Sequence, residues 1–81
     1  MSKKEAFKLQ YPIEVDGIET DTLHLRRMTV ADLEAVEHEK NELKRGTAIL
    51  ARLANIPPAV VSTMDVADFE KISEKAAGFL V

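Results

Sequence analysis

The chain has no cysteine, which excludes a disulfide framework and any thiolate metal centre and accords with a reducing compartment. No apolar run approaches the eighteen or so residues of a membrane span, and residues 1–8 lack the apolar core of a secretory signal. The expected location is therefore cytoplasmic, without a membrane partner. Positive charge is not in excess: 11 Lys and Arg stand against 14 Asp and Glu, for a net charge of -3 with both signs interspersed. Nonspecific nucleic-acid binding needs a basic surface that displaces phosphate counterions, so no nucleic-acid partner is expected. The three glycines, Gly17, Gly46 and Gly78, are too scattered to form a phosphate-cradling loop. Aromatic residues make up only 5% of 81 residues. A domain of this size buries only about 60% of its unfolded surface, so each aromatic side chain matters to a small core.

The residues that are present predict one domain over 1–81, with a flexible lead-in over 1–6, a β-hairpin over 7–27 and a helical part over 29–80. Phe7, Leu9 and Tyr11 alternate with Lys8 and Gln10, the period of a half-buried strand. Pro12 has no N–H and suits an edge or a strand end. Asp16-Gly17 readily supplies the positive backbone angles of a two-residue hairpin turn. Leu23 and Leu25 then share one face of a return strand. An isolated hairpin is marginal in water, so helices must cover its apolar face. The fold class is α+β, an N-terminal hairpin packed on a C-terminal bundle of two to four helices.

Two helices begin with the same signal. Thr29, Val30, Ala31, Asp32, Leu33, Glu34 parallels Asp65, Val66, Ala67, Asp68, Phe69, Glu70. In each, a capping residue is followed three positions later by an acid that can reach back to it. Five similar residues are too few for a repeat architecture. The first helix is expected to carry Val30, Leu33 and Val36 inward. The polar run over 37–45 leaves two readings open, continued helix or a loop near Asn41. A second helix spans roughly 42–55, with Leu43, Leu50, Leu53 and Ala54 on one side, and Pro57 and Pro58 end it. Pro58 can open a short turn of helix. In the last helix Phe69, Ile72, Ala76, Phe79 and Leu80 form one stripe, and Gly78 permits the chain to leave it.

Few residues offer chemistry. Glu34, His38 and Glu42 recur every four positions and would line one face of a continuous helix, the one spacing suited to a metal. One imidazole without ligands from a second helix favours a solvated face instead. His24 is expected at the surface, and Ser62 and Thr63 have no neighbouring histidine to activate them, which leaves them backbone capping. No catalytic, cofactor or metal residues are assigned. The first 45 residues hold 8 of the 11 Lys and Arg and 10 of the 14 Asp and Glu. The apolar second half is thus where a partner surface is expected, at Leu50, Leu53, Phe69, Ile72, Phe79 and Leu80.

Several segments, in this order and spacing, resemble the small tail assembly chaperones of contractile-tailed bacteriophages, the P2-like tail protein E and its Mu-like relatives. They are Tyr11-Pro12-Ile13, Leu23 to Arg27 leading into Thr29 and Asp32, the stretch 53–58, and Met64, Asp65, Ala67, Asp68, Phe69 with Gly78, Phe79, Leu80. The resemblance covers about residues 7–81. It implies a nonenzymatic protein of the host bacterial cytoplasm that binds the long helical tape measure protein and keeps it soluble. It further implies help for tail tube subunits polymerising around that protein, absence from the finished virion, and in many relatives a longer form made by ribosomal frameshifting. The run 37–45 is more charged than such relatives lead one to expect. Two other classes remain: a self-associating structural or regulatory domain, and a metal-dependent enzyme through Glu34, His38 and Glu42.

Overall fold

The computed structural model describes the backbone of residues 4–80 and the side chains of residues 4–75. Strand β1 (Glu5–Val15) and strand β2 (Ile18–Leu25) form an antiparallel hairpin. Four helices follow: α1 (Val30–Val36), α2 (Glu42–Ala54), α3 (Pro58–Val61) and α4 (Val66–Leu80). The hairpin is one layer and the helices are the other, with α2 against β2 and α4 against β1. At the turn, Asp16 and Gly17 take φ of 53° and 78°, the left-handed pair that matches strand twist. Phe7, Leu9 and Ile13 of β1 and Leu23 and Leu25 of β2 point into the interlayer core. There they meet Leu50, Ala51 and Leu53 of α2, Val61 of α3 and Ile72 of α4.

The hairpin begins at Glu5, two residues earlier than the alternation indicates, and β1 runs through Pro12 rather than stopping there. Proline is tolerated because pairing lapses at that point: Lys8 opposes Thr22 and Ile13 opposes Thr20, so residues 9–12 stand opposite Asp21 alone. The backbone donors released by this bulge do not go unmet. The Gln10 N–H donates to Asp68 Oδ1 at 3.0 Å and the Tyr11 N–H to Asp68 Oδ2 at 2.9 Å, and Pro12 has no N–H to satisfy. Asp68 is therefore not a capping acid of its own helix, as the sequence pattern suggests. It is buried, and it joins α4 to the middle of β1. Asp65 alone caps α4, accepting the Ala67 N–H on its side chain at 2.9 Å.

Asp32 does close back on Thr29, accepting its N–H at 2.8 Å and its hydroxyl at 3.1 Å. The same carboxylate receives a fork from Arg26, Nη1 to Oδ2 and Nη2 to Oδ1, both at 2.8 Å, and Arg52 Nε at 2.9 Å. It is fully buried. Five donors thus tie the end of β2, the start of α1 and the last turn of α2 to one group. Asp32 and Val36, four residues apart, face inward together. That choice turns Val30 and Leu33 outward, at 71% and 50% exposure, where the apolar pattern had placed them in the core.

The polar run resolves as a break. Helix α1 ends at Val36, and Asn41 opens α2 by accepting the Lys44 N–H at 3.0 Å. Between them the Glu39 carbonyl is held by Arg45 Nε at 3.0 Å and Nη2 at 2.7 Å. Asn55 closes α2 in the left-handed conformation, φ 58°, which asparagine tolerates better than most residues. Pro57 and Pro58 follow, with Pro58 as the first residue of α3. Helix α4 continues through Gly78 to Leu80 rather than breaking at the glycine.

The Arg26 fork holds the Asp32 carboxyl far below the usual carboxylate range, aided by Thr29 and Arg52 and opposed by burial. A carboxylate that ionises more readily folded than unfolded adds stability that is complete above about pH 5, begins to be lost as pH falls through the unfolded value of about 3.9, and is lost progressively as pH falls on toward the much lower folded value. Urea denaturation at pH 7 and pH 3 should show about 1 kcal/mol of acid loss assignable to Asp32. Asp32→Asn should remove that component of the pH slope and lower stability at pH 7 by about 3 kcal/mol.

Candidate functional site

An apolar groove opens on the face where α2 and α4 begin. Leu43 and Thr47, one turn apart on α2, form one wall, and Val66 and Phe69, three apart on α4, form the other. Val61, Ser62 and Met64, at the end of α3 and just beyond it, complete the lining around a cavity of about 280 Å³. The Asp65 cap starts α4 so that Val66 lies in its first turn. Leu43 and Val66 are 66% and 68% exposed, whereas Phe69 is half-buried against the core. Polar atoms in the wall are already committed. Thr47 Oγ1 donates to the Leu43 carbonyl at 2.9 Å, and Ser62 Oγ to the Pro58 carbonyl at 3.2 Å. Beside the groove, Thr63 Oγ1 donates to the Val60 carbonyl.

A surface of this kind offers apolar contact and almost no directional chemistry. No titratable group lines it. Protruding side chains of another helix suit it. A larger depression of about 370 Å³ runs along α1 and α2, lined by small residues such as Ala35, Ala48 and Ala51. Its one charged lining residue, Arg52, is engaged with Asp32.

The residues expected to meet a partner divide into layers. Phe69 lines the groove. Leu50, Leu53 and Ile72 do not line it and belong to the core, each almost fully buried. The side chains of Phe79 and Leu80 fall outside the described residues. Leu43, Met64 and Val66 were missing from that expectation: Leu43 shares the expected apolar side of α2 with Leu50 and Leu53 yet is 66% exposed, and Met64 and Val66 lie outside the apolar stripe of α4, which went to the core. Val66, which lies off the stripe that Phe69 and Ile72 begin, was the available signal. Glu34, His38 and Glu42 are not brought onto one face: Glu34 is in α1, His38 in the turn after it, and Glu42 opens α2. Among the described residues no three His, Cys, Asp or Glu side chains converge on a possible cation site. His24 is exposed on β2.

The family model described as phage tail assembly chaperone proteins, E, or 41 or 14, matches residues 6–81, nearly the whole chain. The chain belongs to this family. No curated protein and no solved structure gives a significant match. Tail assembly chaperones are non-catalytic proteins that work by interacting with phage tail proteins, and a groove with its polar groups already satisfied suits that role. Among the described residues no helix is long and apolar enough to cross a membrane.

Gly46 lies in the interior of α2, and a methyl group there would meet Phe69 Cζ at 3.6 Å, an ordinary contact. Glycine costs a helix interior about 0.5–1 kcal/mol relative to alanine. Gly46→Ala should therefore raise the melting temperature by about 3–6 °C, measured by circular dichroism. A fall would show that α2 and α4 leave no room there.

Proposed function

We propose that this tail assembly chaperone binds the tape measure protein by taking the apolar ridge of one of its helices into the α2–α4 groove. The observation that carries the reading is the groove itself: an open apolar surface without unsatisfied polar groups, in a chain of this family. Leu43, Met64, Val66 and Phe69 make the contact. Leu50, Leu53 and Ile72 pack the core on which α2 and α4 rest, and Phe79 and Leu80 extend the apolar character of α4 beyond the described side chains.

Removing a Val, Leu or Phe side chain from water is worth roughly 1.5–3 kcal/mol, but most of the gain over one short groove is consumed by ordering two partners. The interaction is accordingly reversible, as a helper that leaves the assembled tail requires. Engaged on the tape measure protein in the host cytoplasm, the chaperone keeps that long helical chain soluble. It yields its place as tail tube subunits polymerise, and it is not retained in the virion. Charges around the groove set register more than affinity.

A self-associating domain is the second reading. It is favoured by the outward Val30 and Leu33 of α1, and sedimentation of a Leu33→Asp variant tests it.

Co-expression with the tape measure protein separates the two. The native chaperone should move the tape measure protein into the soluble fraction. Leu43→Asp combined with Val66→Asp, both at exposed positions, should return it to the pellet and leave the circular dichroism spectrum of the chaperone unchanged. Equal solubility with and without the native chaperone would refute the reading.

A further inference from the structure

We infer that Asp68 is the positioning residue of the client groove: it never faces the client, yet it sets where the α4 wall stands. This inference rests on the groove reading above. Val66 and Phe69, which flank Asp68 in sequence, line the groove, while the Asp68 side chain is 3% exposed and turned to the hairpin. Its two oxygens hold two consecutive N–H groups, Gln10 at 3.0 Å and Tyr11 at 2.9 Å. Both donors lie in the stretch where β1 breaks its pairing with β2, between Lys8 and Ile13.

The bulge and the acid therefore form one device. The irregular strand supplies a two-pronged socket, and the first turn of α4 is seated in it through an acceptor with two lone-pair-bearing oxygens. Without the acid, two part-buried backbone donors would lose their partner, and the helix start would no longer be fixed against β1. Asp32, the matching residue of the first helix, is seated in a different socket of arginines and shares no partner with Asp68. Loss of stability at the Asp32 cluster and loss of groove geometry at Asp68 can thus be told apart.

By linkage, an acid that favours the client-ready groove must itself be held more tightly when the client is bound. Amide hydrogen exchange of Gln10 and Tyr11 should slow on binding the tape measure protein, whereas the Thr29 amide, which is bonded to Asp32, should change little.

The test compares Asp68→Asn with Arg52→Gln, which weakens the Asp32 cluster and provides a destabilised control. In the free protein, the nuclear Overhauser contact between the Phe69 ring and Gly46 should fade in Asp68→Asn and persist in Arg52→Gln. Affinity for the tape measure protein, measured well below both melting temperatures, should fall about tenfold or more in Asp68→Asn and stay within about twofold in Arg52→Gln. An unchanged Phe69–Gly46 contact in Asp68→Asn, or equal affinity losses in the two variants, would overturn the assignment. If the native protein does not bind the tape measure protein, the client proposal fails, and the free-protein contact still decides the role of Asp68.

Discussion

Two buried carboxylates, Asp32 and Asp68, hold the two layers of this domain in register, and the rest of the fold depends on their being fully bonded. A two-stranded sheet has little stability of its own and exposes two edges. Here each strand is fastened to the start of a helix. Asp32 joins the end of β2 to α1 and α2 through Arg26, Thr29 and Arg52, and Asp68 joins the bulge of β1 to α4. Apolar packing supplies most of the driving force, as it must in a chain without disulfides. It is non-directional, however, and would not by itself determine how α2 and α4 stand over the hairpin. An unpaired buried carboxylate would be costly, so only the arrangement that satisfies both acids is acceptable.

That arrangement has a functional side. Because α4 is seated by Asp68 on its hairpin side, the flank carrying Val66 and Phe69 is left to face α2 across an open gap. Because α1 turns Asp32 and Val36 inward, its own apolar residues face outward elsewhere. Surface greasiness in this molecule is a consequence of where the buried acids sit. A chaperone that acts by apolar contact needs such a surface on a body firm enough not to collapse around it.

Much of the fold was legible in the sequence because its determinants are local. Asp16-Gly17, Pro57-Pro58 and the caps at Thr29 and Asp65 each act within a few residues, and the structure uses all of them. Asn41 was ambiguous for a physical reason: the residue that weakens a helix interior is also a good cap, and context chose the cap. Asp68 misled because its partners are 57 and 58 positions away, while a plausible local partner lies three positions away. The groove was the least legible element. Leu43 and Leu50 look alike as letters, and only the placement of α4 makes one a contact surface and the other core.

The central claim is that a helical ridge of the tape measure protein enters the groove between α2 and α4. Methyl-resolved nuclear magnetic resonance, with the tape measure protein titrated into labelled chaperone, tests it at the level of single side chains. The account predicts that the largest perturbations fall on Leu43, Val61, Met64 and Val66 while Val30, Leu33 and Ile18 stay put. Perturbations centred on those three instead, with the groove methyls silent, would contradict it.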